Sequence, residues 1–285
     1  MDTRFWGPSG WRLLHLIAAE PFTSEQHKQD VFSWFCLLPY VLPCKYCRAA
    51  FSDYLKLQPL TLEIMKTPSS FGKWLYEIHN RVNEKLRGQG LITEKNPSWS
   101  EVHARYTKIH KDLCSETPLL GWDFMTSVAF TTPDASYTPN PMPDTPEGYR
   151  EDQISWCMET RNRYNLLTRE ERLEKLKAWW CAMPKVLPCE AWRSAWGDAV
   201  HKNGAPPLQR GRKSVMRWMW VVEQGVCAGL RCPTPHSSFP EMNAELKAFE
   251  SGCAKARRGK TCRAKKEKRR HQIRQTRKAR RGWAF

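Results

Sequence analysis

The chain has 285 residues, 41% of them hydrophobic, and a formal net charge of +17. No run of 18 apolar residues occurs, so no membrane span is expected, and no basic-then-apolar leader opens the sequence, which favours a cytoplasmic site. The charge is uneven: Lys255 to Arg281 carries 15 Lys or Arg against Glu267 alone, about +14, leaving about +3 for the rest.

Residues 8–20 read as the first helix, with Pro8 suited to its first turn and Trp11, Leu14, His15 and Ala18 on one face. A second is expected over 29–40, on Val31, Phe32, Phe35 and Leu38. Cys44-Lys45-Tyr46-Cys47 starts a third that runs to Leu55 and ends before Gln58-Pro59. Phe71 to Leu86 is the clearest helix, closed by Gly88 and Gly90. Ser98 with Glu101 has the form of a capping box and opens a short fifth. No alternating strand pattern stands out, so the fold class is all-α. Thr131 to Arg150 holds Pro133, Pro139, Pro141, Pro143 and Pro146 and reads as an extended linker.

The second half repeats the first. Trp34–Phe51 and Trp179–Trp196 share nine of 18 positions without a gap, including Cys36/Cys181, Pro43/Pro188 and Cys44/Cys189. The same offset sets Trp11 against Trp156. An offset one shorter sets Trp74 against Trp218 and Val82 against Val226. An internal duplication is the expectation. Within it the polar residues change: Cys47 becomes Trp192, His79 becomes Glu223, Asn80 becomes Gln224 and Asn83 becomes Cys227. The expected organisation is therefore a helical domain over 1–115, a Pro-rich linker over 116–150, a degenerate copy over 151–252 and a basic tail over 253–285.

Eleven cysteines in a chain without a leader point to free thiols, metal sites or redox chemistry. Only Cys44 and Cys47 have C-x-x-C spacing, which speaks against zinc. Cys44 sits where a helix begins, where the dipole favours a thiolate; Cys47 lies one turn further in. His79 and Asn83 share a face with Asn80 beside them, and such groups on an apolar helix side need a polar guest. Cys36 and Cys181 fall at apolar positions and read as core thiols.

These elements together, Trp11-x3-His15, Cys44-x2-Cys47 and Trp74-x4-His79-Asn80-x-Val82-Asn83, resemble the Erv/ALR-type flavin-linked sulfhydryl oxidases. The resemblance covers about residues 5–110. It implies a four-helix bundle with a short fifth helix, and an FAD-dependent oxidase that makes disulfides in protein thiols and passes the electrons to O2, giving H2O2. It further implies that Cys44 exchanges with substrate, that Cys47 contacts the flavin, and that Gly7, Trp11, His15, Trp74, His79, Asn80, Val82, Asn83, Lys85, Arg105 and Tyr106 hold FAD. No metal is implied. The family uses a shuttle cysteine pair, for which Cys227/Cys232, Cys253/Cys262 and Cys114 are candidates, with the first preferred. It also forms dimers; here either a homodimer or a pseudo-dimer between the two copies would serve. The chain departs from the family at Gly7-Pro8-Ser9, where a basic residue is common, and at Glu20, where a tyrosine is. A large DNA virus is a plausible source by analogy. The tail suits nucleic acid or another anionic partner. The competing reading is a cysteine-rich zinc- and nucleic-acid-binding protein.

Overall fold

A computed structural model describes residues 1–113, 117–140 and 157–250; Cys114, Cys253, Cys262, Trp156 and the basic tail lie outside them. The described residues form twelve α-helices and no strand.

Helix α1 (Thr3–Ala19) starts five residues before the expected point, because the Asp2 side chain caps it by accepting from the Arg4 N–H at 3.0 Å. Pro8 is thus interior. Ser24 caps α2 (Glu25–Cys36); Pro39 follows a break at Leu37 and sits in the single-turn α3 (Leu38–Val41). Cys44 is the N-cap residue of α4 (Lys45–Leu57). Ser98 with Glu101 forms the capping box of α6 (Trp99–Lys111), as the sequence pattern predicts, and Thr67 with Ser70, which the sequence reading did not single out, forms that of α5 (Pro68–Gly88).

The span 116–150 is not a linker throughout. Residues 122–130 form α7 (Trp122–Phe130), with Phe124, Met125, Val128 and Ala129 fully buried. A helix buried on all sides has no amphipathic period to read, and the prolines after it dominate the local composition. The short α8 (Met158–Arg163) leads to α9 (Arg169–Val186), α10 (Glu190–Asn203), α11 (Arg212–Gly229) and α12 (Phe239–Ala248).

Helix α1 packs along α5 as α7 packs along α11. Gly121-Trp122 at the start of α7 echoes Gly10-Trp11 in α1, and α7 faces α11. The two halves meet where α1 lies on α7 and α2 lies on α9. Contacts there come in reciprocal pairs. Gly10 lies against the Phe124 ring and Gly121 against Leu13. Trp34 stacks on Trp179, its own sequence counterpart, at 5.2 Å. Arg48 donates to Asn165 Oδ1 at 2.9 Å, and Arg193 to Glu20 Oε1 at 2.7 Å, each joining a residue to the other's counterpart.

Candidate functional site: a thiol pair at a cavity

A cavity of about 340 Å³ opens between α1, α4 and α5. Its wall carries Cys47, and with it Gly7, Trp11, His79, Val82, Asn83 and Lys85, residues the sequence singles out from three separate segments. Helix periodicity does this: Trp11 and Leu14 project from α1, Cys47, Phe51 and Tyr54 from α4, and His79, Val82, Asn83 and Leu86 from α5. The lining holds two cations, Arg4 and Lys85, and no carboxylate.

Two further residues stand behind the wall. His15 Nε2 lies 3.2 Å from His79 Nδ1, and Tyr106 stacks on the His15 ring at 4.7 Å. Trp11 stacks on His79 at 3.9 Å. Burial brings the His15 pKa down to about 3 and, with His15 beside it, holds His79 well below the ordinary imidazole range. Both rings are neutral at physiological pH, so their nitrogens orient each other and carry no charge.

Three expected residues do not reach the cavity. Trp74 is core: it stacks on Phe71 at 6.0 Å and donates its Nε1–H to Gln58 O at 3.1 Å. Asn80 is half-buried off the wall, and Arg105 is exposed on α6. Helical spacing places residues on a face but leaves open whether that face meets a cavity or another helix. Conversely, Arg4, Trp6 and Phe124 line the cavity without having been singled out. The first two precede the expected helix start; Asp2 as a cap ahead of Phe5-Trp6 is the signal that finds them. Phe124 comes from the second half, and only the Gly-Trp echo points to it.

The thiol pair is polarised. Burial pushes the Cys44 thiol up, but hydrogen bonds from the Cys47 thiol and backbone N–H, together with the positive charges of the Met1 amino group and Arg48, outweigh it and bring Cys44 down to about 6. Cys47 is held well above the ordinary thiol range, first by its hydrogen bond to Cys44 and then by burial. Cys44 is thus the thiolate and Cys47 the protonated partner at neutral pH. The sequence reading expects one exposed sulfur, yet Cys44 is only 2% exposed, beneath the buried Met1 whose amino group donates to Pro43 O.

Residues 8–106 match the Erv1/Alr family. An FAD-linked sulfhydryl oxidase of African swine fever virus (isolate Pig/Kenya/KEN-50/1950) is 36% identical over 105 residues, spanning 35% of this chain and 79% of that protein. The chain belongs to the Erv1/Alr family. A protein of Acanthamoeba polyphaga mimivirus named "Probable FAD-linked sulfhydryl oxidase" is 36% identical over 95 residues, 33% of this chain and 66% of that protein. The mitochondrial FAD-linked sulfhydryl oxidase of Saccharomyces cerevisiae is 31% identical over 88 residues, 30% of this chain and 45% of its own length. No solved structure matches the chain. All three family motifs fall within the matched span, and α7 to α12 lie beyond it.

The described residues contain no group of three His, Cys, Asp or Glu able to hold a metal ion. No helix among them is long and apolar enough to cross a membrane. Cys36 is half-buried and Cys181 exposed, so the expectation of two core thiols fails: α9 turns this position outward.

Proposed function

We propose that this chain is an FAD-linked thiol oxidase: two protein thiols and O2 give one disulfide and H2O2. The observation that carries the reading is Cys47 in the wall of a cavity free of carboxylates, hydrogen-bonded to a Cys44 of lowered pKa. FAD fits what is there. Trp6 Nε1 is a buried donor on the wall with no partner, and Arg4 and Lys85 suit a pyrophosphate. Trp11, His79, Val82, Asn83 and Lys85 would hold the cofactor, with His15 and Tyr106 bracing His79 from behind. When bound, FAD supplies the acceptor for two electrons and their route to O2.

The chain's own residues govern the exchange. With Cys44 and Cys47 joined as a disulfide, a substrate thiolate attacks the Cys44 sulfur, and the S–S bond breaks with its electron pair on Cys47. The second substrate thiol then attacks the sulfur of the first, releasing oxidised substrate and Cys44. A low-pKa thiol leaves faster, so the acidic Cys44 suits this second step. Because Cys44 is covered, the first step needs the residues above it to give way.

The second half is proposed to be a copy that binds no flavin and packs as a partner subunit would, giving a pseudo-dimer in one chain; the reciprocal contacts across α1/α7 and α2/α9 support this. Cys227 and Cys232, whose thiols share a hydrogen bond at the end of α11, are the proposed shuttle. The basic residues 255–281 are proposed to bind nucleic acid or another polyanion.

The test is a visible spectrum with oxygen uptake in the same cuvette. A flavin band at one FAD per chain, bleached by dithiothreitol and restored by air, is expected, and Cys47→Ser is expected to abolish turnover. A colourless protein that consumes no oxygen after FAD is added sinks the proposal.

A further inference from the structure

Arg48 and Arg193 are sequence counterparts on α4 and α10, and each donates to the carbonyl one turn before its helix, Leu42 O at 3.0 Å and Leu187 O at 2.8 Å. Each also reaches across to the other half, and there they differ. Arg193 meets the Glu20 carboxylate at 2.7 Å, an ion pair of two well-buried side chains. Arg48 meets the neutral Asn165 carboxamide at 2.9 Å. Arg48 is 6% exposed, and none of the ion pairs among the described residues involves it. Its neighbour Arg172, from α9, is also buried, lies over the Tyr137 ring at 5.8 Å, and adds a second positive charge. Burying a guanidinium without an anion is costly. The anion that can arise beside Arg48 is the sulfur of Cys44, one turn earlier on the same helix.

We propose that Asn165, reaching over from the second half, is a positioning residue of the redox centre: it anchors Arg48 through a neutral acceptor, so that the thiolate formed at Cys44 on reduction is the anion that meets the guanidinium charge. The second half thereby stabilises the reduced pair and makes the Cys44–Cys47 disulfide more oxidising, as stabilising a reduced form must. This rests on the redox reading of the pair. The counterpart thiol shows the contrast. Cys189, next to Arg193, is pushed up by burial and by Glu20, whereas Cys44 is brought down to about 6. The groups facing Cys44 are Cys47, the Met1 amino group and Arg48, with Arg172 and Tyr137 facing Arg48 in turn. Arg48, lowered to about 9 chiefly by burial, is still cationic at neutrality.

N165D tests it in the full-length, FAD-loaded protein. The substitution is isosteric, keeps an acceptor for Arg48, and suits the left-handed backbone at this position (φ 59°), where Asn and Asp are tolerated. Equilibration with glutathione is the readout. Two glutathione thiols become one disulfide, the Cys44–Cys47 bond breaks, Cys47 keeps a proton, Cys44 is left a thiolate and one proton goes to solvent. N165D is expected to shift this equilibrium about tenfold toward the protein disulfide, equivalent to about 30 mV, and to raise the apparent pKa of Cys44 alkylation by about one unit. E20Q, at the reciprocal contact, is expected to leave both values in place. If N165D does not fold, R48M removes the same charge from the other side and should move both values the same way. Unchanged potential and alkylation profile in the variant that folds, with a normal wild-type disulfide, overturn the inference alone. A wild-type protein whose Cys44 and Cys47 form no disulfide overturns the oxidase reading and this inference with it.

Discussion

The two halves of the chain fill their interiors in opposite ways. In the first half Trp11, Cys47, Phe51 and His79 border a cavity. At the matching places in the second half stand Trp122, Trp192, Trp196 and Glu223, and there the space is taken by indoles. Trp192 and Trp196 are fully buried; Trp196 stacks on Trp122 and on Trp180, each at 6.1 Å. Polar satisfaction differs too. Glu223 accepts from the His236 N–H at 3.1 Å, and the His236 ring bridges Glu223 at 3.0 Å and Glu245 at 2.8 Å. That network is closed within the chain, although the Nε1 atoms of Trp122, Trp180 and Trp196, like that of Trp6, have no partner. Buried indoles and a paired carboxylate thus stand in the second half where residues of the first half border a cavity.

The largest effect should come from the residue that belongs to both halves. Phe124 is fully buried, meets the Trp179 ring edge-on at 5.8 Å, touches Gly10 and lines the cavity. Phe124→Ala is expected to cost about 3–5 kcal/mol. It should also release FAD, since one wall of the cavity goes with it. Thermal melting and FAD retention on gel filtration measure the two losses. If stability falls while FAD stays tightly bound, the second half is not part of the flavin site.

Next comes the closed network of the second half. Burial pulls the His236 pKa down, but the Glu223 and Glu245 carboxylates prevail and take it up to about 9. A histidine whose folded pKa exceeds its unfolded value of about 6.5 contributes stability that is fully present below that value and is lost as pH rises through 9, here roughly 3 kcal/mol. Melting temperature should therefore decline between pH 6.5 and 9.5, and His236→Gln should flatten that decline. A wild-type profile that is level across this range would show that the network holds no extra proton.

The reciprocal glycines sharpen the comparison further. A Cβ on Gly121 would lie 2.9 Å from Leu13 Cδ2, on a backbone of φ +114°. A Cβ on Gly10 would lie 3.3 Å from the Phe124 ring, with ordinary helical dihedrals around it. Gly121→Ala should cost about 1–3 kcal/mol from strain and crowding together, and Gly10→Ala less. Urea unfolding of both variants ranks them, and equal losses would mean that backbone strain contributes nothing.

Most of the first half was legible because its signals are local. The cap at Ser98, the C-x-x-C at a helix start and the i, i+4 pairs each act within one turn, and all three motifs lie inside the family match. What was not legible depends on neighbours distant in the chain. Trp74 and His79 share helix α5, but whether either meets a cavity is decided by α4 and α1. In α7 every residue but Asp123 is buried, Thr126 and Ser127 included, so no polar face sets a period there. Cys44 is buried beside Pro43, whose carbonyl accepts from the amino group of Met1, more than forty residues away, and no pattern around Cys44 announces it.

The smallest effect is the most pointed. Trp6 is buried, tilts against Phe124 at 5.8 Å, and carries the partnerless Nε1–H on the cavity wall. An unmade hydrogen bond on a buried donor is a penalty of about 1–3 kcal/mol. Replacing Trp6 with Phe removes that penalty and some packing together, so the flavin-free protein should change in stability by no more than about 1 kcal/mol. If the indole N–H is completed by the cofactor, the same substitution should weaken FAD binding about fivefold to tenfold, the worth of one net hydrogen bond. Fluorescence titration of the flavin-free protein with FAD separates these two terms. Unchanged affinity would mean that the Trp6 donor stays unmet in the loaded protein, and that other polar groups on the wall, Lys85, His79 and Asn83 among them, hold FAD.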